Sequence, residues 1–143
     1  MTYYEHNLNV KILFSHYSEL NQSWAMKNTI DPFIRLYYIA DGNGKVICPQ
    51  NNFVLEKGKF YLLPSNTPLT FWTQSSLNIY WIHAQLTVTP GIDVFYIIPG
   101  KIMCIPQPDL CIIDRFQKLI ATKTLSLADE LESQELLMKI FAT

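Results

Sequence analysis

The segment Gly58-Lys59-Phe60-Tyr61-Leu62-Leu63-Pro64-Ser65-Asn66-Thr67-Pro68-Leu69 decides the fold. A glycine turn opens it, a five-residue strand follows, and two prolines bracket a polar loop that re-enters a strand at Leu69. Proline cannot donate a ladder hydrogen bond, so this loop reads as a connection carrying the chain from one sheet to another. On both sides of it, short runs rich in Ile, Val, Tyr, Phe and Trp alternate with Gly, Pro and Asn. The runs read as strands cover 10–16, 22–27, 33–40, 45–48, 52–55, 59–63, 69–73, 78–86, 94–98 and 101–105. Strands of this length at intervals of about 8–12 residues indicate a sandwich or barrel, not an α/β fold. Asp41-Gly42-Asn43-Gly44 reads as a tight hairpin, because Gly and Asn tolerate positive φ. Glu56-Lys57-Gly58-Lys59 reads as a second turn and Pro99-Gly100 as a plain hairpin.

From Pro106 the apolar period lengthens from two residues to about 3.6. Pro108-Asp109 opens a helix that places Leu110, Ile113, Phe116, Leu119 and Ile120 on one face. Ser126 is a good N-cap for a second helix carrying Leu127, Leu131, Met138 and Phe141, widened by Leu137 and Ile140. The acids Asp129, Glu130, Glu132 and Glu135 read as its solvated face.

Bulk composition narrows the function classes. At 143 residues the chain can bury a core without staples, and 49% of it is hydrophobic, 13% aromatic and only 16% charged. A net charge of −1 with Lys and Arg scattered singly predicts no binding of DNA or an anionic membrane by this chain alone. No apolar run approaches the ~20 residues of a spanning helix, and the N-terminus lacks the basic and apolar stretches of a secretory signal. Cys48, Cys104 and Cys111 are odd in number and widely spaced, which predicts free thiols in a reducing cytoplasm.

The segment from Gly58 to Leu69 resembles the second cupin motif, in the version found in AraC-type sensor domains. Its neighbours agree in order and spacing. Phe33-Ile34-Arg35-Leu36-Tyr37-Tyr38-Ile39-Ala40-Asp41-Gly42-Asn43-Gly44 resembles the strand and hairpin that precede it in that family, and Tyr80-Trp81-Ile82-His83-Ala84-Gln85-Leu86 the strand that follows. With the closing helices, the likeness covers nearly the whole chain. It implies a mainly β fold, a cupin-like double-stranded β-helix or jelly-roll barrel over 1–106, followed by a pair of α-helices over 107–143. The helix-turn-helix DNA-binding part of such regulators is absent from this chain.

Carried over residue by residue, the resemblance also shows what is missing. Metal-binding cupins place a His where this chain has Leu69, and a Glu where counting back from Gly42 reaches Arg35. Leucine and guanidinium offer no lone pairs to a first-row metal, so no metal or other cofactor is expected. What the resemblance does imply is an effector pocket between inward strand faces. It nominates Trp24, Lys27, Phe71, Ile79 and Trp81, with Arg35 and Tyr37 as polar candidates. Trp81 could stack on a sugar, and Lys27 or Arg35 could take a carboxylate or hydroxyls, which points to a sugar or sugar acid. The plainer alternative is that these rings only fill the core. His83 has no second ligand or acid at a recognisable spacing and reads as structural. In AraC-type regulators the closing helices pair two subunits, which nominates Leu127, Leu131, Met138 and Phe141 for a homodimer; covering the barrel is their alternative role.

The leading expectation is therefore a cytoplasmic, non-enzymatic, small-molecule-sensing and dimerisation domain of an AraC-type bacterial transcription regulator, acting on DNA only through the missing part. A stand-alone small cupin enzyme, of sugar isomerase or dioxygenase type, is the alternative from another class. A pure dimerisation domain with a filled barrel is the third.

Overall fold

The computed structural model describes Met1 and residues 8–88, 91–122 and 125–142. Within them, nine strands precede two helices. The strands are β1 (Leu8–Asn21), β2 (Ala25–Thr29), β3 (Ile34–Ile47), β4 (Asn52–Glu56), β5 (Phe60–Leu63), β6 (Leu69–Trp72), β7 (Ser76–Val88), β8 (Ile92–Asp93) and β9 (Met103–Ile105). The helices are α1 (Leu110–Ala121) and α2 (Leu127–Phe141). One layer has the antiparallel order β1-β7-β3-β5-β9, and the other consists of β2, β6, β3 and β4. The Pro64–Pro68 loop joins β5 in the first layer to β6 in the second, as its prolines predicted.

β3 belongs to both layers, and here the structure corrects the expected hairpin at Asp41-Gly42-Asn43-Gly44. Residues 34–42 pair with β7, and 35–38 also with β5. Residues 43–47 continue in the same direction, paired with β4 and, at 45–47, with β6. The register slips between Ile39 and Asp41, and Gly42 has φ +78°. A bulge with a left-handed glycine bends the strand where a hairpin would have reversed it. Both devices use the same residues, so composition alone does not separate them.

Because pleated side chains alternate, each strand of the first layer feeds two cores. Ile34, Leu36, Phe60, Leu62, Ile82, Ala84 and Leu86 face the helices and meet Phe116, Leu136, Leu137 and Ile140. Tyr37, Ile39, Tyr61, Leu63, Leu77 and Ile79 face the second layer and meet Val46, Leu55, Leu69 and Phe71. That is why all four residues of β5 are buried. Phe116 seals the outer core, edge-on to Phe60 with centroids 5.0 Å apart.

Both helices start where the caps predicted. Asp109 accepts a hydrogen bond from the Cys111 amide (2.7 Å), and Ser126 forms a reciprocal capping box with Asp129. Asp129 thus holds the helix start, while Glu130, Glu132 and Glu135 are exposed. Two side chains stitch the strands together. The Tyr61 hydroxyl donates to the Val54 carbonyl and accepts from the Glu56 amide, each at 2.9 Å. The Asn51 amide donates to the Ile102 carbonyl (2.8 Å) and accepts from the Ile102 N–H (2.9 Å).

Several strand boundaries differ from expectation. β1 runs five residues beyond His16, with Glu19 and Asn21 exposed and Leu20 packed on the inner core, and the chain turns at 22–23 where a strand was expected. The expected strand at 94–98 is a 3-10 turn (Val94–Tyr96), followed by irregular chain, so Pro99-Gly100 is no hairpin. Asp93 diverts it: its carboxylate accepts from the Phe95 amide and from the buried Ser65 hydroxyl.

A methyl group on Gly42 would lie 2.2 Å from the Ser76 carbonyl oxygen, whereas Gly58, at φ +85°, has open space. Gly42→Ala should therefore incur the clash as well as the φ penalty, a destabilisation of about 3 kcal/mol against about 1 kcal/mol for Gly58→Ala. Urea unfolding of the two variants measures the difference.

Candidate functional site

The inward faces of β3, β6 and β7, with Trp24 from the turn before β2, converge between the layers. Tyr37, Phe71 and Ile79 are buried there, and Trp24 and Trp81 are half-buried against them. The Trp24 ring lies 4.8 Å from Phe71 and 6.5 Å from Tyr37. Trp81 donates its indole N–H to the Ser18 hydroxyl (2.9 Å), which fixes the ring across the β1–β7 ladder. β1 pairs only with β7 and β2 only with β6, so among the described residues no ladder closes the sandwich between β1 and β2. His16, on β1 at this seam, meets Trp81 edge-on at 6.3 Å.

Beside Trp81 the interior becomes polar. His83 sits between Phe33 (4.4 Å, stacked) and Trp81 (4.5 Å). Its cross-strand neighbour is Arg35, only 6% exposed, with the guanidinium carbon 4.9 Å from the Phe33 ring and 5.3 Å from Phe71. Arg35 Nη2 pairs with Asp31, whose carboxylate also accepts from the Thr29 hydroxyl. Among the described residues, Arg35 Nη1 is buried with no hydrogen-bond partner. Burial, and secondarily Arg35, pushes the His83 imidazole down to about 4, so it is neutral near pH 7. Burial pushes the Tyr37 hydroxyl up to about 12, so it too is neutral. Among the described residues, the guanidinium is the one buried cation of the cluster.

Six of the seven nominated pocket residues, Trp24, Arg35, Tyr37, Phe71, Ile79 and Trp81, thus share one interior. Lys27 is exposed on β2, apart from them. Sequence reasoning passed over Asp31 and Phe33, although an acid four residues before an arginine was a visible pairing signal. The nominated helix residues divide. Leu127 and Leu131 are 72% and 59% exposed, whereas Met138 and Phe141 pack on the outer core. Leu69, at the position of a cupin histidine, is buried in the interior, and among the described residues no three His, Cys, Asp or Glu side chains group as metal ligands.

The two antiparallel layers thus enclose an aromatic interior that includes the Arg35 guanidinium. The sequence matches the model of the AraC-like ligand binding domain over residues 12–141, and the chain belongs to that family. The folds of solved proteins agree. ToxT from Vibrio cholerae superposes with a TM-score of 0.55 at 13% identity, covering 96% of this chain and 55% of ToxT. ToxT from Vibrio cholerae O395, bound to (E)-4-(8-methylnaphthalen-1-yl)but-3-enoic acid, superposes with a TM-score of 0.52, at the same identity and coverage. The conserved SPY1581 protein of unknown function from Streptococcus pyogenes is more distant, with a TM-score of 0.43 at 10% identity, covering 56% of this chain and 75% of that one. The chain spans just over half the length of ToxT. A comparison with curated proteins gives no match. Among the described residues, no helix is long and apolar enough to cross a membrane.

The lowered His83 value fixes the sign of a pH effect. Unfolded, His83 takes a proton near pH 6.5, but folded only near 4, so between these values the unfolded chain binds more protons. Stability from this group is present above pH 6.5 and is lost as pH falls toward 4. His83→Asn should therefore narrow the difference in urea midpoint between about pH 7 and about pH 5.

Proposed function

We propose that this chain is the effector-sensing and dimerising part of an AraC-type bacterial transcription regulator, working in the cytoplasm and without catalysis. It governs DNA through a helix-turn-helix part outside these 143 residues. The observation that carries this reading is an aromatic interior, with no ladder between β1 and β2 among the described residues, in a chain of the AraC-like ligand binding family. The barrel, residues 1–106, holds a small organic effector such as a sugar or sugar acid among Trp24, Arg35, Tyr37, Phe71, Ile79 and Trp81. Lys27 adds positive charge on β2. The ToxT complex with an organic acid supports an effector of this size.

The helical pair, 107–143, joins two copies. Leu127 and Leu131 lie one turn apart and exposed on α2, an apolar strip that the barrel does not cover. A ligand that binds one arrangement of barrel and helices more tightly shifts the population, and so alters how two DNA-binding parts are presented.

Thermal-shift screening against sugars, sugar acids and aromatic metabolites identifies a binder. Trp81→Ala should then weaken its affinity about tenfold or more, since a lost ring contact removes over 1 kcal/mol. Unchanged affinity removes Trp81 from the site. Leu131→Glu places a charge on an exposed position, so the monomer should stay folded while sedimentation shows the dimer dissociated. A variant that sediments as the parent chain does would refute the α2 interface.

A further inference from the structure

Resting on the sensor reading above, we infer that the barrel interior takes a monocarboxylate with a flat or apolar body, its carboxylate seated on Arg35 Nη1 while Nη2 keeps Asp31. A guanidinium carries five N–H donors and no acceptor, and leaving one buried without a partner is unfavourable. Arg35 Nη1 is in that position: the residue is 6% exposed, and this nitrogen alone, among the buried side-chain nitrogens and oxygens of the described residues, has no partner. Its neighbours do not supply an acceptor of charge. Phe33 and Phe71 offer ring faces, Tyr37 and His83 are neutral near pH 7, and Asp31, the anion paired with this guanidinium among the described residues, is spent on Nη2.

Asp31 does not cancel the cation completely. Its side chain is 29% exposed and shares its charge with water and with the Thr29 hydroxyl, whereas the Arg35 side chain is 8% exposed and keeps its charge inside. An anionic oxygen at Nη1 satisfies the free donor with a charge-assisted bond, roughly twice as strong as one to a neutral oxygen. The rest of the ligand meets Phe71, Trp81, Tyr37 and Ile79, whose faces are apolar, which selects a flat or hydrocarbon body. Asp31, held by Arg35 Nη2, also accepts on its main-chain carbonyl from the Asn66 main-chain N–H in the Pro64–Pro68 loop, so the anchor of the guanidinium is itself tied to the crossover loop.

The test is calorimetric titration of the whole chain with benzoate, octanoate and galacturonate, each beside its neutral counterpart, benzamide, octanamide or galactose. At least one acid should bind about tenfold more tightly than its counterpart. A win for benzoate or octanoate supports the flat or apolar body, and a win for galacturonate overturns that part of the inference. Arg35→Gln should erase the preference and Arg35→Lys should keep part of it. Asp31→Asn should strengthen acid binding severalfold, because the competing carboxylate is gone; a purely structural Arg35 would make both substitutions weaken binding alike. Should Arg35→Gln fail to fold, the Lys and Asp31→Asn variants decide. Acid preference that survives Arg35→Gln, an acid that gains nothing from Asp31→Asn, or a chain that binds none of the acids overturns the inference. Neutral probes that bind with no acid preference, and lose affinity in Trp81→Ala, overturn it while leaving the sensor reading intact.

Discussion

Ser76 presents its carbonyl oxygen where a side chain on Gly42 would begin, and this contact governs the architecture. It forces a bare backbone at the one point where β3 slips register and turns from one layer into the other. Without that bend, 43–47 would extend past β7 and could not pair with β4 and β6. The two layers would then share no strand, and the aromatic interior would have no common wall. The inward positions of β3, from Arg35 to Ile39, are placed by the same bend.

Much of the fold was legible in the sequence because it depends on local rules. The Pro64–Pro68 crossover follows from missing N–H donors, the helix starts follow from Asp109 and Ser126, and the change of period after Pro106 marks the passage from strands to helices. What escaped depended on partners distant in sequence. Asp41-Gly42-Asn43-Gly44 has the composition of a hairpin, and only the presence of β4, β6 and β7 around it makes it a bulge. Residues 94–98 look like a strand, but Asp93 reaches Ser65, twenty-eight residues back, and caps a 3-10 turn in its place.

The interior was legible to the extent that alternation was. Once β7 is a strand, Ile79, Trp81 and His83 must share a face, and Phe71 must face them from β6. The electrostatic character was not legible. Arg35 could be named as a polar candidate, but its burial, its attachment to Asp31 through one nitrogen and the freedom of the other are properties of packing across three strands. The exposure of Lys27 follows from the same kind of fact: among the described residues β2 pairs only with β6 and leaves Lys27 exposed.

Asn51 carries a consequence for how this protein can vary. One planar amide replaces two main-chain bonds to Ile102, offering hydrogen to its carbonyl and a lone pair to its N–H. Aspartate would keep the shape and forfeit the hydrogen; glutamine would keep both functions but overreach by a methylene. Between close relatives, the residue at this place should drift far more slowly than its exposed neighbour Asn52, although neither touches the aromatic cluster.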